Sequence, residues 1–152
     1  VPTGNFGNIL AGYYAKQMGL PVEKLICASN ANNVLTEFFA SGEYNANREF
    51  FKTMSPSMDI LISSNLERLI FEVSGRDCEL TAKRMSDLKK TGKYVITDAE
   101  KKLIEKTFYA DYCDEEDCAG YNSLQPRYDD SLPPPSKNAF SRPVFLVCYI
   151  FD

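Results

Sequence analysis

The chain opens with Val1-Pro2-Thr3-Gly4-Asn5-Phe6-Gly7-Asn8, followed by the helix-forming run Ile9-Leu10-Ala11-Gly12-Tyr13-Tyr14-Ala15-Lys16-Gln17-Met18. A short glycine-containing loop that feeds a helix is suited to holding an anion. The first backbone N–H groups of a helix have no partners inside it, and the aligned peptide dipoles add partial positive charge at that end. A phosphate placed there gains several hydrogen bonds without a cationic side chain. Gly4 and Gly7 lack Cβ and allow close backbone approach. Asn5 and Asn8 carry short amides, and asparagine is a favoured helix N-cap. The spacing matches neither the dinucleotide G-x-G-x-x-G pattern nor a P-loop, since no G-K-[ST] follows. On pattern alone, an ordinary strand–turn–helix is the alternative reading.

Other chemistries are restricted by what is absent. The chain has no histidine among its 152 residues. That removes Ser-His and Cys-His nucleophile pairs and histidine-ligated metals from this chain. Five cysteines, Cys27, Cys78, Cys113, Cys118 and Cys148, form no disulfide framework and point to reduced thiols in the cytoplasm. The Cys113–Cys118 C-x4-C pair has no second pair beside it and reads as plain loop cysteines, so no metal site is assigned. The net charge of −4 gives no pull toward nucleic acid, and no apolar run is long enough for a membrane span.

The elements that must position the loop follow an α/β rhythm. The first helix is expected over about 8–18, stopped by Gly19-Leu20-Pro21. Lys24-Leu25-Ile26-Cys27-Ala28 reads as a buried parallel strand. Ser29-Asn30-Ala31-Asn32-Asn33 is a polar turn after it, placed where α/β folds bind ligands or simply forming a turn and helix cap. A short helix from Val34 ends at Gly42. Residues 43–52 read as an exposed linker or short helix, and Ile60-Leu61-Ile62 as a strand. Ser64 and Glu67 have capping-box spacing for a helix over 64–73, whose Arg68 is a candidate for phosphate or for a surface ion pair. A charged helix over 77–91 places Leu80, Met85 and Leu88 inward and stops at Gly92. Lys93-Tyr94-Val95-Ile96 reads as a strand. Thr97 and Glu100 form a second capping box, before a helix with Leu103, Ile104 and Phe108 buried. Phe108–Tyr112 is a last strand.

The wording of the first half is more specific than its pattern. Val1-Pro2-Thr3-Gly4-Asn5-Phe6-Gly7-Asn8-Ile9-Leu10-Ala11-Gly12-Tyr13 closely resembles the cofactor-phosphate loop of the threonine synthases, which are fold type II pyridoxal phosphate (PLP) enzymes. The resemblance continues through Ala15-Lys16-Gln17-Met18-Gly19-Leu20-Pro21 and Asn33-Val34-Leu35-Thr36. It returns in Met54-Ser55-Pro56-Ser57-Met58-Asp59-Ile60 and Ser64-Asn65-Leu66-Glu67-Arg68-Leu69, and it fades after Val73.

The resemblance implies an incomplete part of a tryptophan synthase β-like parallel-sheet fold over residues 1–117. The proline-rich, irregular stretch over 118–152 has no counterpart in the family. It implies PLP as cofactor, with Thr3, Gly4, Asn5, Phe6, Gly7 and Asn8 gripping its phosphate. The substrate implied is O-phosphohomoserine, converted with water to threonine and phosphate. In this family the lysine that carries the cofactor lies upstream of the loop in a Phe-Lys-Asp context. That tripeptide does not occur here, and Phe51-Lys52-Thr53 lies downstream, so no catalytic residue is assigned. The chain is expected to be a piece of a longer enzyme and inactive alone. Another fold type II lyase or synthase, or a non-catalytic phosphate-binding module, are the alternatives.

Overall fold

The computed structural model describes residues 1–112 of the chain. The expectations for Cys113, Cys118, Cys148 and the proline-rich stretch lie outside the described residues. Among the described residues, five helices and four strands follow in order: α1 (Gly7–Gln17), β1 (Leu25–Ser29), α2 (Val34–Ser41), β2 (Glu43–Asn45), α3 (Leu66–Val73), α4 (Cys78–Thr91), β3 (Lys93–Val95), α5 (Asp98–Thr107) and β4 (Phe108–Tyr112). A single 3-10 turn, Pro56–Met58, interrupts the long connection between β2 and α3.

The α/β expectation holds, and the sheet is parallel at its centre. β1 pairs with β4 in parallel, Leu25 opposite Phe108 through Ser29 opposite Tyr112. On its other side, β1 meets residues 1–3. Val1 N donates to the Ile26 carbonyl (2.7 Å), Ala28 N to the Val1 carbonyl (3.0 Å) and Thr3 N to the Ala28 carbonyl (2.8 Å). Parallel pairing requires each strand to be joined to the next by a crossover, and α1 supplies the one between residues 1–3 and β1. Leu25 and Cys27 alternate inward to join Phe6, Ile9, Leu10, Leu35, Phe38 and Phe108 in one core.

A second, antiparallel pair differs from the sequence reading. Residues 43–52 do not form an exposed linker throughout. They begin with β2, which pairs with β3 so that Tyr44 lies opposite Tyr94. α2 and α4 end alike: Gly42 and Gly92 adopt left-handed φ of 81° and 75°, and a three-residue strand follows each. The tyrosines of the two Gly-x-Tyr units stack with ring centroids 5.3 Å apart and planes 4° from parallel. Both are buried, Tyr44 almost completely, and burial pushes both phenols above their usual pKa.

Other local expectations also change. Residues 60–62 form no strand: Ile60 packs against Gly4 of the amino-terminal loop, and the Leu61 carbonyl accepts from the Tyr44 hydroxyl. α3 begins at Leu66 after Asn65, without a Ser64–Glu67 capping box. Asn65 is committed to a contact outside its helix. Leu103 is 48% exposed on α5 and not part of the buried stripe, whereas Ile104 and Phe108 are buried. Thr97 and Glu100 do form the expected capping box.

On α4, Leu80, Met85 and Leu88 are only partly buried, and the buried residues are Thr81 and Arg84. The Arg84 guanidinium makes a two-pronged pair with Glu100 of α5, both bonds 2.7 Å, with side chains 6% and 8% exposed. The same carboxylate accepts from the Thr97 backbone N–H (2.7 Å) and hydroxyl (2.9 Å). Burial raises the Glu100 pKa, but the Arg84 hydrogen bonds and the Thr97 donors outweigh it and hold the carboxyl below its usual value. No helix among the described residues is long and apolar enough to cross a membrane.

Breaking that pair strands a buried charge. Glu100→Gln is expected to cost about 3 kcal/mol in urea unfolding, while Arg84→Met with Glu100→Met recovers most of the loss. A depressed folded pKa means the contribution is present above the unfolded carboxylate value and disappears as pH falls through the folded one. The stability difference between the parent chain and Glu100→Gln should therefore narrow on acidification; a difference unchanged down to pH 2 would contradict the assignment.

Candidate functional site

The six residues expected to grip a phosphate run from the strand-like pairing at Thr3, through a turn, into the start of α1 at the carboxyl end of the parallel strands. Ligands in open α/β sheets bind at that end. Thr3 finishes the strand-like pairing with β1; its side chain is buried and its hydroxyl donates to the Val1 carbonyl (2.6 Å). Beneath it lies Cys27, whose thiol pKa burial pushes up to about 11, keeping it a protonated core residue rather than a nucleophile. Asn5 and Asn8 are exposed.

The turn is solved differently from the sequence reading. The N-cap position of α1 is occupied by Phe6, not an asparagine, and the left-handed backbone falls on Phe6 (φ 67°, ψ 7°) rather than on either glycine. A bulky residue in that region is strained by about 1 kcal/mol or more. Its burial offsets this. The ring is 1% exposed, edge-on to Phe39 at 6.1 Å and tilted against Phe108 at 5.6 Å. The Asn5 side chain does the capping from one position earlier, its Oδ1 accepting from Gly7 N (3.0 Å).

Glycine is required here for close approach. A Cβ on Gly4 would lie 3.0 Å from Ile60 Cδ1 and 3.3 Å from the Met58 backbone. One on Gly7 would lie 3.2 Å from Asn5 Oδ1 and 3.3 Å from Asn65 Nδ2. Residues 58–65 thus support the turn from below. Ser63 Oγ donates to the Gly4 carbonyl, and the Asn65 backbone N–H (3.0 Å) and side-chain amide (3.2 Å) both donate to the Asn5 carbonyl. Two loop carbonyls are bound in this way, so the loop's acceptors are occupied on its protein side.

This donor set suits a phosphate. The first bond inside α1 runs from Leu10 N to the Phe6 carbonyl, which leaves the Asn8 and Ile9 amides directed out of the helix end. The first turn of α1 carries no acidic residue. Among the described residues there is no group of three His, Cys, Asp or Glu side chains able to hold a metal ion.

The remaining candidates fall elsewhere. Arg68 is exposed on α3, and Lys52 is exposed in the 45–56 connection. Asn30 and Asn32 are bonded to Asp59, Thr53 and Phe51. Ser63, Asn65 and Asp59 were not singled out by motif reasoning. The signal was present, since Asn65 and Asp59 sit inside the two later stretches that carry the family resemblance.

No family model matches the chain. The human protein "Threonine synthase-like 1" is 46% identical over 125 residues, spanning 81% of this chain. Yeast threonine synthase is 40% identical over 146 residues, spanning 88% of it. Among solved structures, a PLP-bound threonine synthase from Brucella melitensis superposes with a TM-score of 0.72 at 48% identity over 74% of the chain. The yeast enzyme does so with a TM-score of 0.75 at 38% identity over 78%. The chain spans only 17% of the human relative's length and 27% of the yeast enzyme's.

Gly4→Ala is expected to cost about 1–2 kcal/mol, because Met58 contributes backbone that cannot swing aside. Urea unfolding measures it, and an unchanged midpoint would show that residues 58–60 do not press on the loop. In sequence and in fold, the chain belongs with the threonine synthases, as a threonine synthase-like α/β segment of the PLP fold type II architecture.

Proposed function

We propose that this chain is the phosphate-anchoring segment of a threonine synthase, the PLP enzyme that converts O-phosphohomoserine and water to threonine and phosphate. The observation that carries the reading is the α1 entrance. There, outward amides, two Cβ-free positions and an absence of acidic side chains coincide, in a chain that superposes on a PLP-bound threonine synthase. When bound, PLP supplies the electron sink that such a reaction needs.

The residues of this chain would hold and orient that group. Gly4, Asn5, Phe6, Gly7 and Asn8 would surround its phosphate, the outward amides of Asn8 and Ile9 donating to it while Gly7 N stays bound to Asn5 Oδ1. Thr3 would fix the strand end from which the loop springs. The buried Phe6 ring would keep the turn from opening when the anion is released. No lysine of the described residues is assigned to carry the cofactor, so the chain by itself is proposed to bind without turning over. We further propose the boundary near residue 117, with 118–152 as a separate, non-family stretch.

The test is binding of PLP and of inorganic phosphate to the purified 152-residue chain, followed by thermal unfolding and absorbance with and without borohydride. Both anions should raise the unfolding temperature, and borohydride should leave no lysine adduct. A saturable adduct on one lysine would overturn the assignment of no catalytic residue. A folded chain that neither anion stabilises would overturn the anchoring role.

A further inference from the structure

The connection from residue 51 to residue 65 crosses beneath the loop as a strap and is held at both ends. At one end are the bonds already described, Ser63 to Gly4 and Asn65 to Asn5. At the same end, Tyr44 of the stacked tyrosine pair donates its hydroxyl to the Leu61 carbonyl (2.8 Å) and accepts from Ser63 N (2.9 Å). At the other end the strap meets the polar turn after β1, and there Asp59 is the hub. Asp59 Oδ1 accepts from Asn30 Nδ2 (2.8 Å), Asn32 Nδ2 (3.1 Å) and the Thr53 hydroxyl (2.8 Å); Oδ2 accepts from Thr53 N (2.9 Å).

Every one of these partners is a donor, so the hub requires a group that only accepts. An ionised carboxylate meets that requirement and an amide does not. Burial raises the Asp59 pKa, but the Thr53 backbone and hydroxyl donors and the two asparagines outweigh it and hold the carboxyl below its usual value. The asparagines are themselves fixed. Asn32, 5% exposed, exchanges two bonds with the Phe51 backbone, accepting from Phe51 N (3.0 Å) and donating to its carbonyl (2.8 Å). Asn30 Oδ1 accepts from Asn32 N (3.0 Å). One residue on from Asp59, Ile60 presses on Gly4, and one residue before it Met58 does the same.

We propose that Asp59 is a positioning residue for the anion loop: by locking the strap to the end of β1 it sets the pose of Gly4 and Asn5, and so the loop's affinity for phosphate. The proposal rests on the reading that this loop holds a phosphate. Asp59 is placed on the protein side of the loop and works through Met58 and Ile60.

The experiment titrates inorganic phosphate and PLP into the full chain by calorimetry, at a temperature where near-ultraviolet circular dichroism shows each variant folded. Asp59→Asn should bind both anions about tenfold more weakly while remaining folded. Thr53→Val, which removes one donor to the hub, should weaken binding by a smaller factor, and Thr53→Ser, which keeps the hydroxyl, should restore parent affinity. A residue that only adds stability would move the unfolding temperature and leave these affinities unchanged. Parent-like affinity in Asp59→Asn overturns the positioning role while leaving the anion loop intact. A parent chain that binds neither anion overturns the loop reading and the role of Asp59 with it. Should Asp59→Asn not fold, the Thr53→Val and Thr53→Ser pair decides: equal affinity in the two sinks the proposal.

Discussion

A loop that leaves backbone amides pointing outward has few donors of its own left to hold it in place. This constraint shapes the described part of the molecule. Gly4 and Asn5 give up their carbonyls to Ser63 and Asn65, and the turn at Phe6 is held by a ring sunk in the core. The anchoring bonds come from residues about sixty positions away. The loop is therefore only as well formed as the strap beneath it.

The strap has no regular structure of its own beyond one 3-10 turn, so its position depends on side chains. Tyr44 is the core-side support. Its ring is stacked on Tyr94 and its hydroxyl bridges Leu61 and Ser63. A buried phenol needs a partner for its O–H, and here that need is met by an irregular backbone that equally needs partners for its own groups. Asp59 is the second support, at the end of β1. The antiparallel β2–β3 pair thus reaches the loop through a tyrosine, and the parallel sheet reaches it through asparagines and a carboxylate.

The same division appears in the electrostatics. The Arg84–Glu100 pair is deep, two-pronged and remote from the loop, and it fastens α4 to α5. Two bonded carboxylates, Asp59 and Glu100, are held ionised by donors, one beside the strap and one inside the helix pair. Neither is in the first turn of α1, where negative charge would compete with a bound anion.

The sequence alone determined what depends on local chemistry. α1, β1, α2, α4, α5 and β4 follow from apolar spacing, from glycines at helix ends and from the Thr97–Glu100 capping box. The loop residues followed from wording shared with a family. What the tertiary structure decided are the features whose energies come from distant partners. Ile60-Leu61-Ile62 has the composition of a strand, but Ile60 packs against Gly4, the Leu61 carbonyl accepts from Tyr44 and Ile62 is exposed. Ser64 and Glu67 have capping-box spacing, but Asn65 bonds Asn5, and the helix starts after it. The strained φ sits on Phe6 because a buried ring repays a cost that a glycine would not have had. Tyr44 and Tyr94 occur in matching Gly-x-Tyr units about fifty residues apart, and only the fold places the two rings face to face. Short-range patterns record the conformational preferences of a few neighbouring residues, whereas burial and hydrogen-bond satisfaction are settled by the whole packed chain.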